Sequence, residues 1–323
     1  MTLIRPIDVG ESPTFASTAS EPDHVADQSA YIERLIGSGS MRHEWCYLAE
    51  QAGRPVGRFA FWTLPKIGTP LAIVLLDVAP GADDRSALAG GLLGRAIADA
   101  LATNTPELGH VIDEPAQSPQ WQTAPQERAT WLEAAGFRVV RATSRWSFDG
   151  PSPDQGEPLG GAPRLTFRPF ETVGEAAFLD ALERVSADTV DERVRADRER
   201  LGPAGEAHAT LDDLRSMESM PGWWELAFDA DGALIGLIMP ARAPSMTTIG
   251  YIGVVPEQRG RHYVDDLLAR GTANLRRDVP EMEIRADTDL SNTPMAAAFA
   301  RAGYRNFGTR REFELPDGAG RWR

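Results

Sequence analysis

The sequence predicts a layered α/β fold of the α+β type, built twice. Each copy is expected to be a mixed, mostly antiparallel sheet of about six to seven strands flanked by helices, given strands of about 5–6 residues. Three observations lead there. The chain has 323 residues, enough for two domains of about 100–200 residues. Strand-like and helix-like stretches alternate along it. The same ordered anchor residues occur on both sides of a Gly- and Pro-rich stretch.

Each copy opens with an extended piece carrying Arg-Pro, at Arg5-Pro6 and Arg168-Pro169. A helical region follows, then a Trp-led strand, a Gly turn and a second strand. Trp45, Gly53 and Gly57 recur as Trp224, Gly232 and Gly236, all displaced by 179 residues. A further apolar strand ends in Val-x-Pro, at Val78-Ala79-Pro80 and Val254-Val255-Pro256. A helix with Leu-Leu-x-Arg comes next, at Leu92-Leu93-Gly94-Arg95 and Leu267-Leu268-Ala269-Arg270. Another strand leads to a helix ending Ala-Gly-aromatic-Arg, at Ala135–Arg138 and Ala302–Arg305. The Gly there fits a helix stop, because Gly tolerates the left-handed conformation. A last strand, RVVRATSRWSF or RNFGTRREFEL, is expected to close its own copy. The expected division is a first domain at 1–148, a linker at 149–163 and a second domain at 164–323.

Composition excludes several classes. No stretch reaches the about 18–20 apolar residues of a membrane span, and Met1–Gly10 lacks the pattern of a secretory signal. Cys46 is the one cysteine, so an intrachain disulfide is impossible and no metal site is expected. A reducing cytoplasm is the expected home. Net charge is −14, with acid in excess on both sides of Gly150, so no nucleic-acid partner is expected. An acidic surface serves solubility and also favours a cationic acceptor such as an amine.

One loop carries specific chemistry. Arg259-Gly260-Arg261-His262-Tyr263-Val264 joins a strand to a helix. The first turn of a helix presents unpaired N–H groups and the positive end of the macrodipole, which suit a pyrophosphate. Gly260 lets the backbone approach closely, and Arg259 and Arg261 are placed to supply charge-assisted bonds. The first copy has Asp83 and Asp84 at the equivalent helix start, which would repel an anion. Residues 1–148 are therefore expected to be degenerate as a catalytic unit, bracing the second and shaping the acceptor cleft.

The stretches Thr247–Leu275 and Ile284–Gly308, with the duplication, make the chain resemble the GNAT superfamily of N-acyltransferases in a tandem form. The resemblance implies an acyl-coenzyme A co-substrate, acetyl-coenzyme A or another short acyl thioester. It implies that backbone at Val254 and Val255 holds the pantetheine arm and offers oxyanion donors. It also implies that this strand splays from the next to receive the thioester, and that Asn292 contacts the pantetheine end. The superfamily pattern Arg/Gln-x-x-Gly-x-Gly/Ala places His262 and Val264 at two normally small positions.

Acyl transfer to an amine needs a base, an oxyanion donor and an acid for the thiolate. The Tyr that many members use as acid is Phe299 here, and the strand before the phosphate loop has no carboxylate. The remaining catalytic candidates are Asp287, Tyr251 and Asp289, with Glu225 and His262 behind them. No Ser-His-Asp or Cys-His motif is present, so direct attack is expected. Trp45, Trp121, Trp223 and Trp224 read as packing residues, and Asp191–Gly202 reads as a solvated helix face, though the resemblance leaves open that this region covers the acceptor. The expected activity is acyl transfer from coenzyme A to a small-molecule amine. The alternatives are a donor loaded on an acyl carrier protein, recognised by Arg259, Arg261, Arg276 and Arg277, an aminoacyl-tRNA donor, or a non-catalytic acyl-coenzyme A-binding module.

Overall fold

The computed structural model describes residues 2–103, 105, 107–150, 164–243 and 246–315. The chain divides into two compact units, Met1–Ala142 with Thr309–Arg323, and Thr143–Gly308. The expected linker falls, from residue 151 on, outside the described residues.

Through the first repeat the elements run β1 (Thr2–Pro6), α1 (Ser12–Ser17), α2 (Val25–Gly37), β2 (Cys46–Gln51), β3 (Arg54–Trp62), β4 (Ala72–Val78), α3 (Arg85–Ala102), β5 (Leu108–Glu114), α4 (Pro125–Ala134) and β6 (Arg138–Phe148). The second runs β7 (Thr166–Pro169), α5 (Phe170–Val173), α6 (Glu175–Val185), α7 (Glu192–Arg215), β8 (Glu225–Phe228), β9 (Leu234–Ala243), β10 (Met246–Val254), α8 (Tyr263–Asp278), β11 (Ile284–Asp289), α9 (Thr293–Arg301) and β12 (Arg305–Leu315). Both follow the order predicted from the anchors. The repeated glycines have local causes. Gly53 and Gly232 turn the hairpins at φ 74° and 80°, where a residue without Cβ is favoured. At Gly236 a Cβ would sit 2.1 Å from the Gly253 carbonyl oxygen, so only Gly lets β9 and β10 meet there.

One expectation is corrected. Neither repeat is closed by its own last strand. In the first unit the sheet order is β1-β2-β3-β4-β5 followed by Thr309–Leu315 of β12. That segment pairs antiparallel with β5 in unbroken register, from Thr309↔Glu114 to Leu315↔Leu108. In the second unit the order is β7-β8-β9-β10-β11 followed by Thr143–Phe148 of β6, paired from Asp289↔Thr143 to Ile284↔Phe148. The strands are exchanged, and cuts at 148 and 164 would part each unit from its sixth strand. The exchanged strands also carry core residues. Phe313 is buried in the first unit with Phe59, Phe61 and Trp131. Phe148 is buried in the second with Tyr304, Phe299 and Leu275.

Among the described residues, the sheet pairings within the two units are antiparallel except β4 with β5 and β10 with β11. These two pairs define the place where a ligand can enter.

Candidate functional site

In the second unit, among the described residues, β10 and β11 pair only at Thr247↔Ile284 and Thr248↔Arg285. Beyond those residues they splay, and a bulge at Gly250 shifts β10 against β9. The gap opens into a cavity of about 480 Å³ lined by β10, the segment from Val185 to Val194, the start of α8, and residues of β11 and α9. The Val255 N–H donates to Ile235 of the β9 hairpin at 2.9 Å. Alternation along an antiparallel strand then turns the backbone of Val254 and Ile252 to the opposite, splayed edge. The Val254 carbonyl confirms this, accepting from Arg259 Nε at 3.1 Å. Of the two expected oxyanion donors, Val254 faces the gap and Val255 does not.

The loop after β10 ends at the uncapped start of α8. Gly260 takes φ +77°, with no heavy atom within 4 Å of where a Cβ would stand. His262 is the N-cap residue in the left-handed region, φ 62°, and makes no side-chain cap bond. Its ring stays two-thirds exposed (67 %) and lies 3.3 Å from Asp265. The large residue at this normally small position therefore leaves the helix start open. Tyr263 and Val264 begin the helix and line the cavity, and Tyr263 stacks under Arg164 at 5.0 Å.

The arginines behave differently from expectation. Arg259 donates to the carbonyls of Val254, Asp188, Val185 and Ala187 at 2.8–3.1 Å. It clamps the end of α6 to the loop instead of pointing at a phosphate. Arg261 is exposed and bonds Gln258 at 3.0 Å. The asymmetry argued from acidic residues is also corrected, because α8 has Asp265 and Asp266 in its first turn. Arg301 holds the first at 2.7 Å and Arg164 pairs with the second. What distinguishes the first unit is that Asp84 caps α3, accepting from the Ala87 N–H at 2.9 Å. That bond uses a helix-start donor left free of a side-chain cap in α8.

The expected catalytic residues separate. Tyr251 and Asp287 line the cavity. Burial first, then the charges of Glu206 and Asp191, hold the Tyr251 phenol well above its ordinary range, with Arg259 and Arg198 pulling back. Asp287 is 36 % exposed and 3.4 Å from Arg145, a residue of exchanged strand β6 that sequence reading missed. Asp289 is buried and accepts from the Glu192 N–H at 2.6 Å, tying down the start of α7. That corrects its place among reacting groups. Asn292 caps α9, accepting from the Met295 N–H at 3.3 Å, while lining the cavity. Glu225 is held by Arg270 at 2.7 and 2.8 Å and by Asn274 at 3.0 Å, away from the cavity. Phe299 lines the cavity and stacks with Trp146 at 5.8 Å.

The helix read as a solvated face is more than that. Asp191 and Val194 line the cavity, and Gly202 breaks α7 ahead of Pro203. Beyond the break, Glu206 is buried on one stripe with Ala207, Leu211 and Leu214. An acid on an apolar stripe was the available signal. Trp223 and Trp224 are core residues, and Trp121 stacks on His24 at 4.0 Å while donating to Asp27.

The equivalent gap of the first unit is filled. Among the described residues β4 and β5 pair only at Ala72↔Gly109. Side chains from β5, from the stretch after it and from α4 then take the splayed backbone. Gln120 accepts from the Leu75 N–H at 2.9 Å, Arg128 donates to the Leu76 carbonyl, and His110 donates to the Ile73 carbonyl at 2.9 Å. Leu76 stands where Ile252 stands in the second unit, counted from Val-x-Pro. Asp77 sits between Arg58 (2.8 Å) and Arg128 (2.5 Å), all three buried. Burial works to raise the Asp77 carboxyl, and the two guanidiniums outweigh it and hold it below its usual range.

Among the described residues no helix is long and apolar enough to cross a membrane, and no group of three or more His, Cys, Asp or Glu is placed to hold a metal ion. The chain matches no protein-family model and no curated protein. Among solved structures, it resembles a GCN5-related N-acetyltransferase from Sphaerobacter thermophilus at 18% identity, covering 97% of this chain and 95% of that one, with a TM-score of 0.59. It also resembles a GCN5-related N-acetyltransferase from Kribbella flavida at 16% identity, covering 91% and 96%, with a TM-score of 0.51. With two units of the same strand order, and with parallel strands splayed at the same place in both, the chain has the tandem GNAT fold.

Proposed function

We propose that the second unit is an N-acyltransferase that moves an acetyl or other short acyl group from coenzyme A to an amine of a small molecule by direct attack. One observation carries this: the open gap between β10 and β11 and the uncapped start of α8 belong to one cavity. The co-substrate supplies an activated thioester whose pyrophosphate suits the helix start. The loop Arg259–Val264 would hold that end, with Gly260 giving the close approach and Arg259 keeping the loop's shape. The Val254 N–H, on the splayed edge of β10, would serve as the oxyanion donor as the thioester carbonyl gains charge. Asp287 takes the proton the amine loses as the C–N bond forms and the C–S bond breaks. Tyr251, kept protonated by its surroundings, gives a proton to the departing sulfur and recovers one through solvent. The first unit, its gap filled by its own side chains, serves as scaffold.

The carrier-protein reading, motivated by His262 and Val264, would need a local patch of free arginines. Arg259 is committed to carbonyls, Arg276 donates to the Pro280, Met282 and Phe148 carbonyls, and Arg277 pairs with Asp278. Of the four arginines, only Arg261 remains for such a patch.

Thermal unfolding checks the proposal. Acetyl-coenzyme A at 100 times its Kd should stabilise the chain by about 2.7 kcal/mol through mass action. Gly260→Asp, which places an acid in the anion path, should remove that rise. No rise in the wild type would sink the donor assignment, and turnover of an amine panel would then be needed to keep any enzymatic reading.

A further inference from the structure

His262 sits in the loop before α8 at φ 62°, with no side-chain cap bond. A residue with a Cβ is strained in that region of backbone space, so the surrounding structure must hold it there. Arg259 fixes the beginning of the loop through the carbonyls named above, and its other end is held by Arg164. The next residue, Leu165, is buried in the core of the second unit, while the Arg164 side chain is half exposed (48 %). From that anchor its guanidinium reaches the loop and the first turn of α8. Nη1 donates to the Arg261 carbonyl at 3.3 Å and Nη2 to the His262 carbonyl at 3.5 Å. Nη2 also pairs with Asp266, and the group lies over the Tyr263 ring at 5.0 Å.

These contacts decide where the loop's donors point. The peptides on either side of His262 are trans, and a trans peptide is planar with its C=O and N–H in opposite directions. The Arg261 carbonyl shares its peptide with the His262 N–H, and the His262 carbonyl shares its peptide with the Tyr263 N–H. Drawing both carbonyls to Arg164 therefore turns both N–H groups away from it. Neither N–H has an acceptor among the described residues, and both residues line the cavity. Adjacent free donors at the positive end of a helix suit an anion. Asp266 would oppose that anion, and the same guanidinium offsets its charge. At the start of α3, by contrast, Arg85 pairs with Glu127 at 2.7 Å and Asp84 takes a helix-start N–H.

We propose that Arg164 is the positioning residue of the coenzyme loop. It holds the two peptides around His262 with their N–H groups toward the anion, in place of a glycine that would take this conformation without strain. This rests on the acyl-transfer reading of the second unit and adds a residue that acts on the pyrophosphate only through the loop.

The test is calorimetry on the full chain with coenzyme A and with S-acetylpantetheine, which has the thioester arm and no pyrophosphate. Arg164→Gln should weaken coenzyme A binding about tenfold, the scale of an anion contact at a helix start, and leave S-acetylpantetheine unchanged. Arg164→Lys keeps the charge and loses the two-pronged reach, so it should remain weakened. In a His262→Gly background the loss on removing Arg164 should shrink to less than about threefold, because the two substitutions are coupled. Equal coenzyme A affinity in wild type and Arg164→Gln would overturn the proposal, as would full recovery in Arg164→Lys or an undiminished loss in the His262→Gly background. A parallel loss of S-acetylpantetheine would make Arg164 a general support of the fold and overturn it too. If the wild type binds neither ligand, the acyl-transfer reading falls and this proposal with it. If it binds S-acetylpantetheine as tightly as coenzyme A, that reading stands and this proposal falls.

Discussion

Three residues that look alike as titratable groups in the sequence have different work in the fold. Tyr251 lines the cavity with its phenol held protonated by burial and by Glu206. Tyr251→Phe should lower kcat about 100-fold, within the usual range for a lost general acid, with the affinity for acetyl-coenzyme A unchanged in calorimetry. An equal loss of binding would make the ring a packing residue. Asp289 supports α7 from beneath. Asp289→Ala should cost about 1–2 kcal/mol in denaturant unfolding, the scale of a lost helix cap. His110 lies in the filled gap of the first unit, and burial lowers its imidazole to about 4. The unfolded chain binds that proton near 6.5, so between pH 6.5 and 4 the unfolded state holds more protons. Stability is then full above pH 6.5 and falls toward pH 4, by on the order of 3 kcal/mol. His110→Gln should flatten that part of the stability–pH curve, and an unchanged slope would show that other groups produce it.

At the scale of elements, exchange of the closing strands governs both stability and site. Phe313 belongs to the second repeat in sequence and to the first unit's core in space. Phe313→Ala should destabilise the first unit by about 3–5 kcal/mol, as emptying a core aromatic site does. Hydrogen exchange would locate the loss: faster exchange in β5 and α4 fits the exchange of strands, and faster exchange confined to β11 contradicts it. The partner strand acts on chemistry as well, since β6 brings Arg145 to Asp287 and Trp146 to Phe299. The stretch Pro115–Ala124 acts in the opposite sense. It supplies Gln120 and Gln122 to the first unit's gap, where the second unit passes directly from β11 to α9 through Leu290–Asn292. A longer connection is what permits the plug.

For the whole molecule, a fragment comparison tests the division. All six strands of the second unit lie within residues 143–308. That fragment should unfold cooperatively in calorimetry. The fragment 1–148 lacks Thr309–Leu315 and exposes the edge of β5, the condition that promotes misassociation. It should aggregate or unfold without a cooperative transition. The reverse result would show that each repeat closes itself.

The sequence by itself determined what depends on local pattern and short-range stereochemistry. Strand and helix order, the repeated Gly and Trp anchors and the loop from Arg259 to Val264 were all legible there, because side-chain period and turn chemistry act between near neighbours; the opening of the β10–β11 pair followed only from the family resemblance. The tertiary structure alone decided which partner each group meets. RVVRATSRWSF and RNFGTRREFEL have the same pattern of alternation, so nothing local says which sheet either will join. Arg259, Asp289 and Glu225 carry the charges a site requires, and only packing assigns the first to carbonyls, the second to a helix start and the third to Arg270. Glu206 shows the same limit from the other side. Its place on an apolar stripe was visible, but burial and an unpartnered oxygen exist only once α7 lies on the sheet.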